Sequence, residues 1–400
     1  MPGGAVRAYL DHAATSPMPE EVLEAYALAL RSVGNPASTH GHGQRASELL
    51  EEARERIARA LGCDHAELIL TGGGTESINL ALKGVYWAGR GSGSRDTILV
   101  AEGEHHATVE SVEWLRDAQG ARVRWLPIDR DGLLRPETLA AALAEEGPDR
   151  VALVSFLWAS NEVGTVQRVS ELCGIAAAAG VPAHVDAVSA LGQVPIDFAA
   201  SGAAALSVSA HKIGGPAGVG ALVLGRRTRA DPLLHGGTQQ RARSGTQDVA
   251  GAIAFAAALN VALEPDGGPR PERIERLARL RDRLIAGVRG IDRGAVLRGA
   301  DPEAPGARLP GNAHFTFPGC QGDSLVLLLD AAGVSVSVGS ACQAGVAETS
   351  HVLLAMGLPE REAAGALRFT LGPETADEEV DALLGALPGA LRRARAAGLA

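Results

Sequence analysis

Lys212 is the residue in this chain best suited to amine chemistry. It closes the run Ser207-Val208-Ser209-Ala210-His211-Lys212 and precedes Gly214-Gly215-Pro216, a strand-to-turn junction of the kind where a sheet presents a site. Only two of the 37 basic residues are lysine, Lys83 and Lys212, and the rest are arginine. An arginine keeps its proton and cannot act as an amine nucleophile. Surface exposure is the commoner fate of a lysine, so the reading depends on what accompanies Lys212.

Asp186 ends a second apolar run, Ala183-His184-Val185-Asp186. A lysine and a carboxylate that can face the pyridine nitrogen are what pyridoxal phosphate requires. The amine forms a Schiff base, and the acid keeps the pyridine nitrogen protonated by opposing its charge. Capping of the next helix is the plainer role for an Asp in this place. Gly72-Gly73-Gly74-Thr75-Glu76-Ser77 lies between a strand pattern and a helix pattern, where backbone N–H groups and a threonine hydroxyl can cradle a phosphate. It lacks P-loop spacing, and a tight βα turn accounts for it equally well. His105 follows the strand pattern ending at Ala101, where its ring can stack on a flat cofactor or shuttle a proton. A loop histidine satisfied by its neighbours is the alternative. The tandem His105-His106 lacks the i, i+4 spacing of a helical metal site.

Cys342 sits in Val338-Gly339-Ser340-Ala341-Cys342-Gln343-Ala344-Gly345, a small and polar stretch unlike a core position. Cys63, Cys173 and Cys320 read instead as buried, inert thiols. No CxxC pair occurs, which speaks against a zinc knuckle or a disulfide framework. No metal site is expected.

The elements that must position these residues alternate. Pro19 to Val33 and Gln44 to Leu61 read as amphipathic helices. Glu67 to Thr71 reads as a strand running through the glycine turn into a helix that ends at Leu82. Thr97 to Ala101, Val123 to Leu126, Val151 to Trp158 and Ala183 to Val185 are further apolar runs between helical segments. Such alternation predicts a mainly parallel sheet covered by helices on both faces. The breaker cluster Glu264 to Pro269 then marks a change. Beyond it an Arg-rich helix, Glu272 to Val288, precedes strand-like runs at Ala313 to Phe317, Val334 to Val336 and Leu367 to Leu371. These predict a second, smaller α/β domain.

With 400 residues the chain can bury a large core and exceeds the usual size of one domain. Its net charge of −10 argues against broad electrostatic binding to nucleic acid or an anionic membrane. The start of the chain has no apolar signal-peptide region, and Val249 to Leu263 is too short to span a membrane. A cytoplasmic protein with reduced thiols is expected.

Further motifs narrow the reading. They are Tyr9-Leu10-Asp11-His12-Ala13-Ala14-Thr15, Gly34-Asn35-Pro36-Ala37-Ser38 with His40 and Gly43, Glu104-His105, and Asn161-Glu162-Val163-Gly164. Arg243-Ser244-Gly245-Thr246, Gly339-Ser340-Ala341-Cys342 and Leu367-Arg368-Phe369 complete the set. In their order and spacing the chain resembles the cysteine desulfurases of the class V aminotransferase family, in the group serving iron–sulfur assembly and tRNA thiolation. The resemblance implies an α/β, fold-type I pyridoxal phosphate-dependent transferase. Its large domain would span residues 15–262. Its small domain would span 1–14 and 263–400 and carry the catalytic cysteine loop.

By the same resemblance Lys212 would carry the cofactor and His105 would stack on it and move protons. Asp186 would pair with the ring nitrogen, and Asn161 and Ser189 would contact the cofactor. Gly74, Thr75, Ser209 and His211 would hold its phosphate. Thr246 would reach the phosphate of a second subunit, which implies a homodimer. Asn161 and Arg368 would bind the carboxylate of L-cysteine. Cys342 would take the sulfur as a persulfide and pass it to a scaffold protein or a tRNA thiolase; whether it also ligates a cluster in transit is left open by the resemblance. Three departures stand out. Ser189 replaces the family's usual glutamine, the stretch before Arg243 is one residue short, and no lysine follows His105. The same fold also carries aminotransferases and selenocysteine lyases, and a non-catalytic paralogue is the reading from a different class.

Overall fold

The computed structural model describes residues 8–90, 95–237, 239–265, 267–339 and 349–397. The chain enters through a short strand, β1 (Ala8–Tyr9). The main sheet follows, built from β2 (Leu68–Thr71), β3 (Thr97–Ala101), β4 (Arg122–Leu126), β5 (Val151–Leu157), β6 (Ala183–Asp186), β7 (Ala205–Ser209) and β8 (Gly220–Leu224). Its spatial order is β2-β8-β7-β6-β5-β3-β4. The pairs from β7 through β4 are parallel, whereas β8 runs antiparallel to both β7 and β2. The expected mainly parallel sheet is therefore present, with one reversed strand.

Strands buried on both faces read as near-continuous apolar runs, and β3, β5 and β7 are buried throughout, with Ser155 and Ser207 among the few polar exceptions. Successive side chains point to opposite faces. Leu99 and Ala101 accordingly join one core layer with Val154 and Phe156, while Ile98 and Val100 join the other with Leu153 and Leu222. The helix Gly41–Ala60 turns Ala46, Leu50, Ala53 and Ile57 inward at helical spacing. His40 caps it by accepting the Gly43 N–H at 3.3 Å. The alanine-rich helix Val249–Ala262 is buried along most of its length, and Asp248 caps it through Gly251 N at 2.9 Å.

A second core gathers beyond residue 270. Here β9 (Val296–Arg298), β10 (Asn312–Thr316) and β12 (Ala366–Thr370) form an antiparallel sheet in the order β12-β10-β9, while β11 (Val334–Ser335) pairs in parallel with β1. Phe315, Phe317 and Phe369 pack there with Leu280, Leu284, Leu383 and Leu387, and the N-terminal Ala8 and Leu10 join them. Polar contacts tie this part to the large sheet. Arg308 Nη1 donates to the Val163 carbonyl at 2.8 Å, and Asn312 Nδ2 donates to the Glu162 carbonyl at 3.0 Å.

Several helices differ in extent from the sequence expectation. The one after the glycine turn runs to Arg90, past Gly84. A Cβ at Gly84 would lie 2.6 Å from the Asp231 carbonyl oxygen, so this glycine serves close packing and does not break the helix. The helix expected over 19–33 spans Glu20–Ala29, and Leu30 and Val33 beyond it are exposed.

Candidate active site

Because β8 is reversed, β2 runs in the same direction as β3, β5, β6 and β7, and the carboxyl ends of all five share one edge of the sheet. Open α/β sheets bind ligands outside this edge. A cavity of about 360 Å³ lies there, lined by Gly74 and Thr75 after β2, His105 after β3, Asn161 after β5, Asp186 and Ser189 from β6 onward, and Ser209, His211 and Lys212 after β7. Arg368 of β12 closes it from the small sheet.

Lys212 sits in a short 3-10 turn, Ala210–Ile213. The turn reverses at Gly214, whose φ of +84° favours glycine and whose added Cβ would lie 2.6 Å from Pro19. Lys212 Nζ donates to the carbonyls of Ala13 and Ala14. Burial, and then the Arg368 charge, lower its pKa to about 8, while Asp186 and Asp11 act the other way. The amine is thus far easier to deprotonate than an exposed lysine.

Asp186 is fully inside. Burial raises its carboxyl to about 6, opposed by the Val188 N–H, which donates to Oδ1 at 2.9 Å, and by Lys212. His105 caps the helix His106–Gln119, its Nδ1 accepting the Ala107 N–H at 3.0 Å. Burial, then Lys212 and the neighbouring histidines, lower its pKa to about 4. The ring is therefore neutral at pH 7, and because Nδ1 accepts, its proton belongs on Nε2.

At the glycine turn, Gly72 N donates to Glu76 Oε2 at 2.7 Å, and Arg243 Nε donates to Glu76 Oε1 at 2.9 Å. Gly73 has φ of +135°. Ser209 Oγ faces this turn, buried and without a hydrogen-bond partner among the described residues. His211 Nδ1 lies 3.3 Å from Thr15 Oγ1, and burial followed by the Lys212 charge lowers its pKa to about 4.

Thr246 is the one expected residue, among those described, that lies elsewhere. It lines a separate hollow with Gly72, Gly218 and Arg243. Cys342 lies outside the described residues. Burial pushes the thiols of Cys63 and Cys173 up to about 12 and raises that of Cys320. Among the described residues, no group of three or more His, Cys, Asp or Glu could hold a metal. No described helix is long and apolar enough to cross a membrane.

The cavity also holds residues that the sequence reading gave no role: Asp11, Glu104, His106, Glu162 and His351. Burial raises the carboxyl of Glu104, and that of Glu162, which accepts a hydrogen bond from Ser350 Oγ at 2.5 Å. The His106 and His351 rings meet edge to face, with centroids 4.8 Å apart. Glu104, His106 and Glu162 follow strand ends of the main sheet, whereas Asp11 and His351 come from segments remote from it.

The aminotransferase class-V family model matches residues 8–383. The chain belongs to that family. Among curated class-V relatives, it is 51% identical over 395 residues to an IscS-like cysteine desulfurase of Mycobacterium tuberculosis, covering 98% of each chain. It is 40% identical over 390 residues to the cysteine desulfurase IscS of Dictyoglomus turgidum, covering 97% of this chain and 95% of the relative. Among solved structures, a NifS-like protein superposes with a TM-score of 0.86 at 34% identity, over 97% of this chain and all of the other. SspA, determined in complex with cysteine, superposes with a TM-score of 0.77 at 27% identity, over 92% of this chain and 100% of its own. The expected family and fold type are thereby met.

Proposed function

We propose that this protein is a pyridoxal phosphate-dependent cysteine desulfurase that converts L-cysteine to L-alanine and transfers the sulfur through Cys342. The observation that carries the reading is the convergence of Lys212, Asp186, His105 and Arg368 on one cavity at the carboxyl edge of the sheet. The residues fit the cofactor. The Ser209 hydroxyl is buried with no partner among the described residues, and it faces a glycine turn. Thr75 and the N–H groups opening the helix Gly74–Arg90 are ready-made phosphate donors. Asp186 is a buried acid beside Lys212 and would hold the ring nitrogen, Asn161 and Ser189 would touch the ring's other substituents, and His105 would stack on it.

When bound, the cofactor supplies an electron-poor ring that makes the substrate Cα proton acidic. Lys212 would hold the cofactor and would take that proton, a task suited to an amine with a pKa of about 8. Arg368 and Asn161 orient the substrate carboxylate. The Cys342 thiolate attacks the substrate sulfur. A sulfur–sulfur bond forms, the substrate's carbon–sulfur bond breaks, and Cβ is protonated as alanine is completed. His105, neutral with its proton on Nε2, is arranged to donate a hydrogen bond from Nε2, since Nδ1 already accepts the Ala107 N–H.

The same reading places the protein in the cytoplasm as a homodimer in which Thr246 serves the partner's phosphate. Residues 15–262 form the cofactor domain, and 1–14 with 263–400 form the domain that carries Cys342. The sulfur acceptor is an iron–sulfur scaffold protein or a tRNA thiolation enzyme. A cysteine assay that quantifies alanine and sulfide, with the absorbance spectrum recorded, tests the reading on wild type, Lys212→Ala and Cys342→Ala. Wild type is expected to give alanine and sulfide. Lys212→Ala is expected to lose the borohydride-reducible visible band. Cys342→Ala is expected to keep the band and lose desulfuration. Release of a keto acid, or normal desulfuration by Cys342→Ala, would overturn it.

A further inference from the structure

Arg368 already holds a carboxylate. Its Nη2 donates to Asp11 Oδ1 at 2.7 Å. Its Nη1 donates to the carbonyls of Asn161 at 3.0 Å and Gly339 at 3.4 Å, and its Nε is buried without a partner among the described residues. The Arg368 side chain is 6% exposed and that of Asp11 21%, so Asp11 is the more open member of the pair.

The backbone fixes Asp11 in this place. Leu10 N donates to the Ser335 carbonyl at 2.9 Å, and Thr370 N to the Leu10 carbonyl at 2.8 Å. Asp11 bridges to Thr370, two residues along β12 from Arg368, and Tyr9 Oη donates to the Asp11 carbonyl at 3.1 Å. These contacts fix the main chain at Asp11, from which its carboxylate reaches the Arg368 guanidinium.

We propose that Asp11 determines the specificity of the substrate-carboxylate site, by making an incoming carboxylate compete with a resident one for Arg368. The inference rests on the reading of Arg368 as the carboxylate-binding residue. A guanidinium alone in a cavity would attract any small anion. With its charge matched by Asp11, a bare carboxylate gains little, and a ligand must add contacts elsewhere in the cavity to displace or share the pair. The site thus favours α-amino acids over simple carboxylates. Asp11 has a second effect within the cavity. It offsets at Lys212 part of the Arg368 field that would otherwise lower the amine further.

Propionate, which has the carbon skeleton of alanine without its amine, separates these effects. Its inhibition constant against L-cysteine is measured on the cofactor-loaded enzyme, together with kcat and KM, for wild type, Asp11→Asn and Asp11→Glu. Asp11→Asn is expected to bind propionate roughly tenfold more tightly. KM for L-cysteine should fall by a smaller factor, and kcat should not rise. Asp11→Glu, which restores the charge, should stay near wild type. Unchanged propionate inhibition in Asp11→Asn would overturn the proposal. So would weaker propionate binding, which would make Asp11 only a support for Arg368. Should Asp11→Asn fail to fold or load cofactor, Asp11→Ser is measured with the same two outcomes. Arg368→Gln tests the underlying reading separately: it should raise KM and abolish propionate inhibition, and an unchanged KM would refute the role of Arg368 whatever Asp11→Asn does.

Discussion

Gly74→Ala isolates the phosphate cradle from the rest of the fold. Gly74 opens the helix Gly74–Arg90, and a Cβ built there would lie 2.7 Å from Cγ2 of Val188 and 3.5 Å from Cβ of Ser209. Carbon atoms prefer about 3.5–4.0 Å, so Val188 must retreat by about 1 Å or rotate. Overpacking of this kind costs about 1–3 kcal/mol. Alanine recovers up to about 1 kcal/mol of helix propensity over glycine. The cofactor-free variant should therefore lose on the order of 1 kcal/mol, which in a chain this long moves its melting point by about 2 °C or less. Cofactor affinity should suffer more, because the methyl group displaces Val188 and meets Ser209, both in the cavity wall beside the proposed phosphate cradle. At least a tenfold weaker Kd is expected, about 1.4 kcal/mol. Titration of the apoprotein with pyridoxal phosphate, read by absorbance, measures the affinity, and thermal unfolding of the apoprotein measures the cost to the fold. Gly174→Ala is the control, since a Cβ there meets nothing within 4 Å in the helix Val169–Ala178. It should gain stability and leave affinity unchanged. If Gly74→Ala destabilises the apoprotein yet binds the cofactor like wild type, the turn does not hold the phosphate.

Two further outcomes are expected. His184 bridges Ser155 and Ser207 inside the sheet at 2.9 Å on each side, and burial lowers its pKa to about 3. The folded state then binds fewer protons at this residue than the unfolded chain. Wild type should therefore lose about 2 kcal/mol relative to His184→Asn on going from pH 7.5 to pH 5, measured by urea unfolding; parallel pH profiles would contradict this. Thr246 is tested in mixed dimers of Thr246→Ala with Lys212→Ala subunits. If Thr246 serves the partner's site, each mixed dimer keeps one site of wild-type cofactor affinity. If it serves its own, none survives.

The chemistry of the site was legible where a functional residue ends an apolar run. Lys212, Asp186 and His105 all follow strands whose burial on both faces makes them continuous hydrophobic words in the sequence. Asp11 and His351 gave no such signal, because tertiary packing brings them to the cavity from outside the main sheet, and Glu162, though it follows β5, belongs to a sequence motif that assigns it no role. The reversal of β8 was equally hidden. Its apolar run looks like that of its neighbours, and strand direction is set by the connection and not by composition. Lys83, which had no assigned role, lies with Nζ 4.5 Å from the centroid of the Trp114 ring. That is a contact between neighbouring helices that their separate amphipathic patterns do not reveal.

The order of strands in the main sheet also sets a timetable for the chain's synthesis. β2, with the glycine turn at its end, pairs with no strand but β8 in the main sheet, and β8 is encoded about 150 residues later. At ordinary translation speeds that is a wait of roughly 8–30 s. Throughout it the turn that faces Ser209 has no sheet to sit on, while β3, β4, β5 and β6 can already assemble behind it. The cavity is therefore a late product of synthesis, completed only when the small sheet has delivered Arg368. A chain that ended before β8 would leave the edge of β7 unpaired and the glycine turn after β2 without its neighbouring strand. Such a chain is a natural target for chaperones, and it cannot turn over substrate early.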